Sequence, residues 1–284
     1  VFFATEGKKK NHNLEKKLYI RYNIESEQGG KMKVLSFMNP KGGVGKTVSA
    51  ISFSYALVNE GYKVLLIDTD PRSAVEIFLG IESQLTINEL LQDFSLGKEI
   101  NLEKYVNKKN GLDIIVSSYY LSKFSTFFNS DMITKTFIFK NLVESLLYEY
   151  DYILFDTEGT VSELTTSVLF GTNQVFIPTQ ASSIDLIGIR DILEVVSSAK
   201  KQNSKLEIKK VFLVRAKQKT NSYKLIKEKL LSFFEENQFS KISIRENQDI
   251  VNAMNEESDI FSYKPNATAA QDYRNLVEEY LKEE

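Results

Sequence analysis

The run Lys33-Val-Leu-Ser-Phe-Met-Asn-Pro-Lys-Gly-Gly-Val-Gly-Lys-Thr47 restricts the folds open to this chain more than any other stretch. A β-rich apolar segment enters a glycine-rich turn, and a helical pattern opens at Lys46. Gly42, Gly43 and Gly45 can take positive φ and let backbone amides approach an anion closely. Those amides and the helix N-terminus form a cradle for β- and γ-phosphates, with Val44 and Val48 completing its backbone. Within it Lys46 would reach the β- and γ-phosphates, and the Thr47 hydroxyl would ligate Mg²⁺. A Gly-Lys-Thr triplet alone says little; the strand before it and the helix after it give it meaning.

Downstream, short β-rich runs alternate with longer amphipathic patterns. The expected strands are Lys33–Met38, Lys63–Thr69, Leu112–Ser117, Tyr152–Thr157, Gln174–Thr179, Lys210–Arg215 and Lys241–Arg245. Most are rich in Val, Ile, Leu and Phe on both faces, as strands covered on both sides must be. Between them lie helical patterns at Lys46–Glu60, Ile133–Tyr150, Val161–Phe170, Ser183–Gln202, Ser222–Asn237 and Ala267–Lys282. Strand–helix–strand repetition implies an α/β fold, doubly wound, with a mainly parallel sheet and helices on both faces. Residues 1–31 differ: seven Lys/Arg against four Asp/Glu, no sustained periodicity, and the first methionine, Met32, directly after. Two readings stay open for them, a disordered basic extension or translated upstream sequence, and the folded domain is expected over 32–284.

The general P-loop pattern asks for glycine where Pro40 stands, and a second lysine, Lys41, opens the glycine run. Lys41-Gly-Gly-Val-Gly-Lys-Thr47 resembles the deviant Walker A motif of the ParA- and MinD-type P-loop ATPases. The resemblance implies ATP and Mg²⁺ as cofactors, and a Lys41 that crosses a dimer interface to the partner's nucleotide. Asp68-Thr-Asp70-Pro71 resembles the family's D-x-D-P motif, which would place Asp70 on the attacking water and Asp68 near the magnesium. Two acids at i and i+2 leave a strand on one side and can converge on one site; a cap on the following helix is the plainer role, more so for Asp68. Tyr152-Ile-Leu-Phe-Asp156 resembles a Walker B strand, with Asp156 holding Mg²⁺ through water. The loop around Pro178 resembles the family's segment bordering nucleotide and dimer face, and Arg215 ends a strand that would lie beside the adenine. Arg72, Asp156-Thr-Glu-Gly-Thr160 and Val48 depart from the family's usual residues, leaving the phosphate and magnesium ligands intact.

Composition narrows the chemistry. With no cysteine, thiolate zinc sites, iron–sulfur clusters and disulfides are excluded, and with it a reductase of the nitrogenase-iron-protein type. The single histidine, His12, lies in the polar N-terminal stretch. Net charge is -2, but residues 200–245 hold thirteen Lys/Arg against four Asp/Glu and residues 246–284 three against ten. The basic region is expected to bind DNA phosphates without reading bases. Tyr119–Phe128 reads as core or dimer contact. The resemblance is nearest to small plasmid-partition ParA proteins. It implies an ATP-dependent homodimer on non-specific DNA, cytoplasmic and nucleoid-associated, with hydrolysis stimulated by a small centromere-binding protein. A MinD-like membrane-cycling ATPase is the alternative, opposed by the acidic C-terminal end, which anionic lipid would repel; a nucleotide-gated scaffold with little hydrolysis is another.

Overall fold

The computed structural model describes residues 32–127, 132–147 and 149–284, so the expectation for residues 1–31 lies outside the described residues. Its strands are β1 (Lys33–Phe37), β2 (Val64–Asp68), β3 (Asn107–Lys109), β4 (Leu112–Ile115), β5 (Tyr152–Asp156), β6 (Gln174–Thr179) and β7 (Glu207–Leu213). They form one sheet in the order β3-β4-β2-β5-β1-β6-β7. Every neighbouring pair is parallel except β3 with β4. The β1, β2, β5 and β6 sequences are apolar on both faces and are buried almost throughout, the condition for a parallel sheet between helical layers.

The principal helices are α1 (Lys46–Asn59), α2 (Ala74–Leu79), α3 (Ile87–Ser95), α4 (Met132–Ser145), α5 (Glu163–Gly171), α6 (Ser183–Lys200), α7 (Asn221–Leu231), α8 (Gln248–Asn255) and α9 (Thr268–Leu281). Strand alternation divides the core between the two faces. On one, Phe37 and Phe176 meet Phe53 of α1 and Tyr280 of α9, with ring centroids 5.0–5.7 Å apart. On the other, Val175 and Ile177 pack with Ile189, Ile192 and Val196 of α6 and with Tyr223, Ile226 and Leu230 of α7. Lys33–Glu284 form one compact unit.

Three expectations about elements need correction. The segment Lys241–Arg245 forms one isolated bridge, Arg245 with Ala216, and not a strand. Ile244 N–H still donates to the Leu213 carbonyl of β7 (2.8 Å), but Ile242 N–H turns to the Ser240 hydroxyl (3.0 Å), and Lys241 and Arg245 N–H donate to Glu279 and Asp272 of α9 (both 2.9 Å). The helix expected over Ser222–Asn237 stops at Leu231; Glu235 and Glu236 would bring negative charge to a helix C-terminus, where the dipole opposes it. The helix expected over Ile133–Tyr150 stops at Ser145, and Tyr150 instead ties to Asp113 through its hydroxyl (2.9 Å). Within Tyr119–Phe128, Leu121 and Phe124 are core, while Tyr119 and Tyr120 are exposed. The polar sequence of β3 gave no sign of a strand.

Candidate functional site

Sheet register assembles the site. Phe37 pairs with Asp156, and Asp68 pairs with Asp156 across the other edge of β5. Adjacent strands lie about 5 Å apart, so the carboxyl ends of β1, β2 and β5 deliver the phosphate loop, Asp68 and Asp156 to one locus. This edge is where open α/β sheets bind ligands.

The loop is shaped by backbone conformation. Gly43 (φ 71°) and Gly45 (φ 98°) use that freedom and are left-handed, whereas Gly42 is not. Gly45 is the N-cap of α1, which has no side-chain cap and no acidic residue in its first turn. Its positive end is therefore presented to the loop's hollow. Asn39 braces the loop, donating through Nδ2 to the Pro178 carbonyl (2.9 Å) and accepting from Lys41 N–H (3.0 Å). Pro178 thus supports the loop at one remove. Lys46 is buried, and its Nζ donates to the Lys41 carbonyl (3.1 Å). Burial lowers its pKa, while Asp156 and Asp70 pull it back up.

The acids occupy different environments. Asp156 is fully buried, and neither carboxylate oxygen receives a hydrogen bond among the described residues. Burial pushes its pKa up to about 7, against the opposing pull of the Thr47 hydroxyl and the Lys46 ammonium. An unpartnered buried carboxylate is costly, and beside Thr47 it suits a hard cation with oxygen ligands. Among the described residues no group of three or more acidic side chains makes a metal site by itself; a cation shared with phosphate oxygens needs fewer. Asp68 is otherwise engaged. Its Oδ1 accepts from Asp70 N–H (2.8 Å) and its Oδ2 from Val75 N–H (3.3 Å) in the first turn of α2. This is the capping role, with burial and the charge of Asp156 raising its pKa well above the usual carboxylate range. Asp70 is buried and bound by Arg72.

Lys41 points to Asp185 of its own chain, with Nζ 3.1 Å from Oδ2. Arg215 has a left-handed backbone (φ 48°) and lines a cavity of about 540 Å³ that runs from Gly43–Val48 past Val214 to Arg245, Asn247 and Met254. Its walls beyond the phosphate loop are largely apolar side chains, as a nucleobase requires. Lys217 is instead paired with Glu246 (2.9 Å). Sequence reasoning missed the 244–254 wall of this cavity, and it missed Gly159. A Cβ on Gly159 would lie 3.4 Å from Gly42 N and from Lys46 Nζ, so the turn after β5 packs directly on the loop. The rule that ligands gather beyond strand carboxyl ends, applied after Arg245, would have pointed to the missed wall.

Comparison with known proteins agrees with the fold. The family model described as an AAA domain matches residues 32–208. The chain is 30% identical over 251 residues to the chromosome-partitioning ATPase Soj of Treponema pallidum, spanning 88% of this chain and 97% of that protein. A Borrelia burgdorferi protein assigned to plasmid partition, solved with AMPPNP, superposes with a TM-score of 0.72 at 26% identity, covering 89% of this chain and all of that one (100%). An ATP complex of McdA from Cyanothece superposes with a TM-score of 0.77 at 22% identity, over 89% of this chain and 98% of that one, a likeness of fold.

Proposed function

The chain belongs to the ParA/MinD-type ATPases and carries their AAA domain, and from that membership we propose that it moves DNA cargo as a partition ATPase. It is an ATPase that uses ATP and Mg²⁺. The observation that carries the mechanistic reading is the orphaned carboxylate of Asp156 next to Lys46 and Thr47. Thr47 and Asp156 would hold Mg²⁺, which offsets phosphate charge when bound. The amides of Gly42–Val48 and the Lys46 ammonium hold and neutralise the phosphates. Asp70 orients the attacking water, and Asp68 sets the turn that presents Asp70. Arg215 borders the base. The ATPase domain spans 32–284, leaving 1–31 as an extension or as upstream sequence.

In this reading ATP joins two copies, Lys41 leaves Asp185 for the partner's phosphates, and the paired basic regions bind non-specific DNA on the nucleoid of the cytoplasm. A small centromere-binding protein then stimulates hydrolysis and release. Exposed lysines within 200–245 support the DNA contact. Asp70→Ala tests the cycle, because Thr47 and Asp156 stay in place. ATP binding and dimerisation should persist while turnover falls at least tenfold, and the variant should stay on DNA in ATP. Loss of ATP-dependent dimerisation in sedimentation would make Asp70 a structural residue. DNA binding indifferent to nucleotide would remove the switch.

A further inference from the structure

Arg72 stands immediately after the D-x-D-P motif, and the family resemblance gives it no role. Its Nε lies 3.1 Å from Asp70 Oδ1 and 3.2 Å from Oδ2, its Nη2 lies 2.6 Å from Oδ2, and its backbone N–H lies 3.0 Å from Oδ1. A carboxylate offers about four lone-pair directions, and three protons converge on them: the backbone N–H, an Nη2–H and the single Nε–H, which is shared between both oxygens. Asp70 in this state has its carboxylate aligned on Arg72 and about one lone-pair direction left with which to align a water. The third guanidinium nitrogen points elsewhere. Nη1 has no hydrogen bond among the described residues, and a Cβ built on Gly42 would lie 3.9 Å from it, so it sits above the phosphate loop. The Asp70 side chain is almost fully buried (3% exposed), whereas that of Arg72 is 64% exposed.

We propose that Arg72 is a positioning residue that clamps Asp70 until a γ-phosphate draws the guanidinium across to the loop. The fork geometry that locks a carboxylate also fits a phosphate, and the phosphate carries more charge. A nucleotide lacking the γ-phosphate leaves the clamp shut. With ATP bound the guanidinium exchanges between Asp70 and the γ-phosphate and leaves Asp70 for only a minor fraction of the time, so Arg72 restrains turnover while linking it to the presence of ATP. This inference rests on Asp70 orienting the water, as proposed above.

Steady-state ATPase kinetics of the full chain, without DNA or partner, test it with two variants. Arg72→Gln removes both fork and charge, so kcat should rise about tenfold and KM should rise as well. Arg72→Lys keeps the charge without the fork, so kcat should rise while KM stays near wild type. Unchanged or lower kcat in both variants overturns the clamp. A spectroscopic readout on the wild-type protein does not depend on how the variants fold: the Arg72 ¹⁵Nε–H resonance should shift with AMPPNP and Mg²⁺ but not with ADP and Mg²⁺. Identical spectra in the two nucleotides overturn the release step. Asp70→Ala measured alongside separates the two readings. If it loses turnover while the Arg72 variants stay flat, only the clamp fails; if it keeps turnover, the Asp70 assignment fails and the clamp with it.

Discussion

Asp156 shows how a single residue can be held against its own stability. Unfolded, it titrates near the usual carboxylate value of about 3.9; folded, burial pushes it up to about 7. Between those values the folded nucleotide-free chain keeps a proton that the unfolded chain has lost. Stability must then fall as pH rises through that window, because the native state binds more protons. Asp156→Asn removes the titration. The variant should melt several degrees above wild type at pH 8 and within error of it near pH 4, by calorimetry without nucleotide. Equal melting at pH 8 would show that Asp156 titrates as an exposed acid. The same burial that costs stability prepares the residue for a cation, which is how functional sites commonly depart from the packing optimum.

At the scale of elements, the β1–loop–α1 unit depends on two left-handed glycines, and Gly45 makes a clear test. A Cβ there would meet Val214 at 3.7 Å, an ordinary contact, so Gly45→Ala would be strained through its φ of 98° and not through a clash. A non-glycine residue in left-handed conformation costs about 1–2 kcal/mol. The melting temperature should drop by a few degrees, and ATP affinity measured by titration calorimetry should fall further, because the amide geometry of the cradle changes. Wild-type affinity in Gly45→Ala would mean that the cradle tolerates another backbone path. The elements flanking this unit were legible in sequence for a plain reason: β1, β2, β5 and β6 are short runs apolar on both faces, as buried parallel strands are, and longer helical patterns alternate with them. Elements at the rim were not. The strand β3 is the polar tripeptide Asn107-Lys-Lys109, visible only through its pairing with β4. Lys241–Arg245 has a strand's pattern, yet only Ile244 N–H reaches β7, and the ladder breaks where Ile242 N–H turns to the Ser240 hydroxyl.

Across the whole molecule, folding redistributes the charge asymmetry seen in the sequence. Four of the basic residues in 200–245 pair with acids from 246–284: Lys209 with Glu284, Lys210 with Glu283, Lys217 with Glu246 and Arg245 with Asp272. Lys210 is buried and also donates to the Asn237 carbonyl (2.8 Å), so it is part of the core's edge. Lys219, Lys224 and Lys229 are exposed and have no ion pair among the described residues. Changing these three to glutamine should weaken non-specific DNA binding in ATP and flatten the plot of log affinity against log salt by about three per chain. Lys210→Gln should lower the melting temperature and leave that slope alone. An unchanged slope in the triple variant would place the DNA contact on another face. The sequence by itself determined the fold class, the phosphate loop and the acids at strand ends, because period, glycine placement and motif order are local properties of a chain. Only the tertiary structure decided where each acid is held: Asp68 caps α2, Asp70 is held by Arg72, and Asp156 receives no hydrogen bond among the described residues. Those placements follow from strand register, burial and the reach of neighbouring side chains, all of which arise only when distant segments pack together.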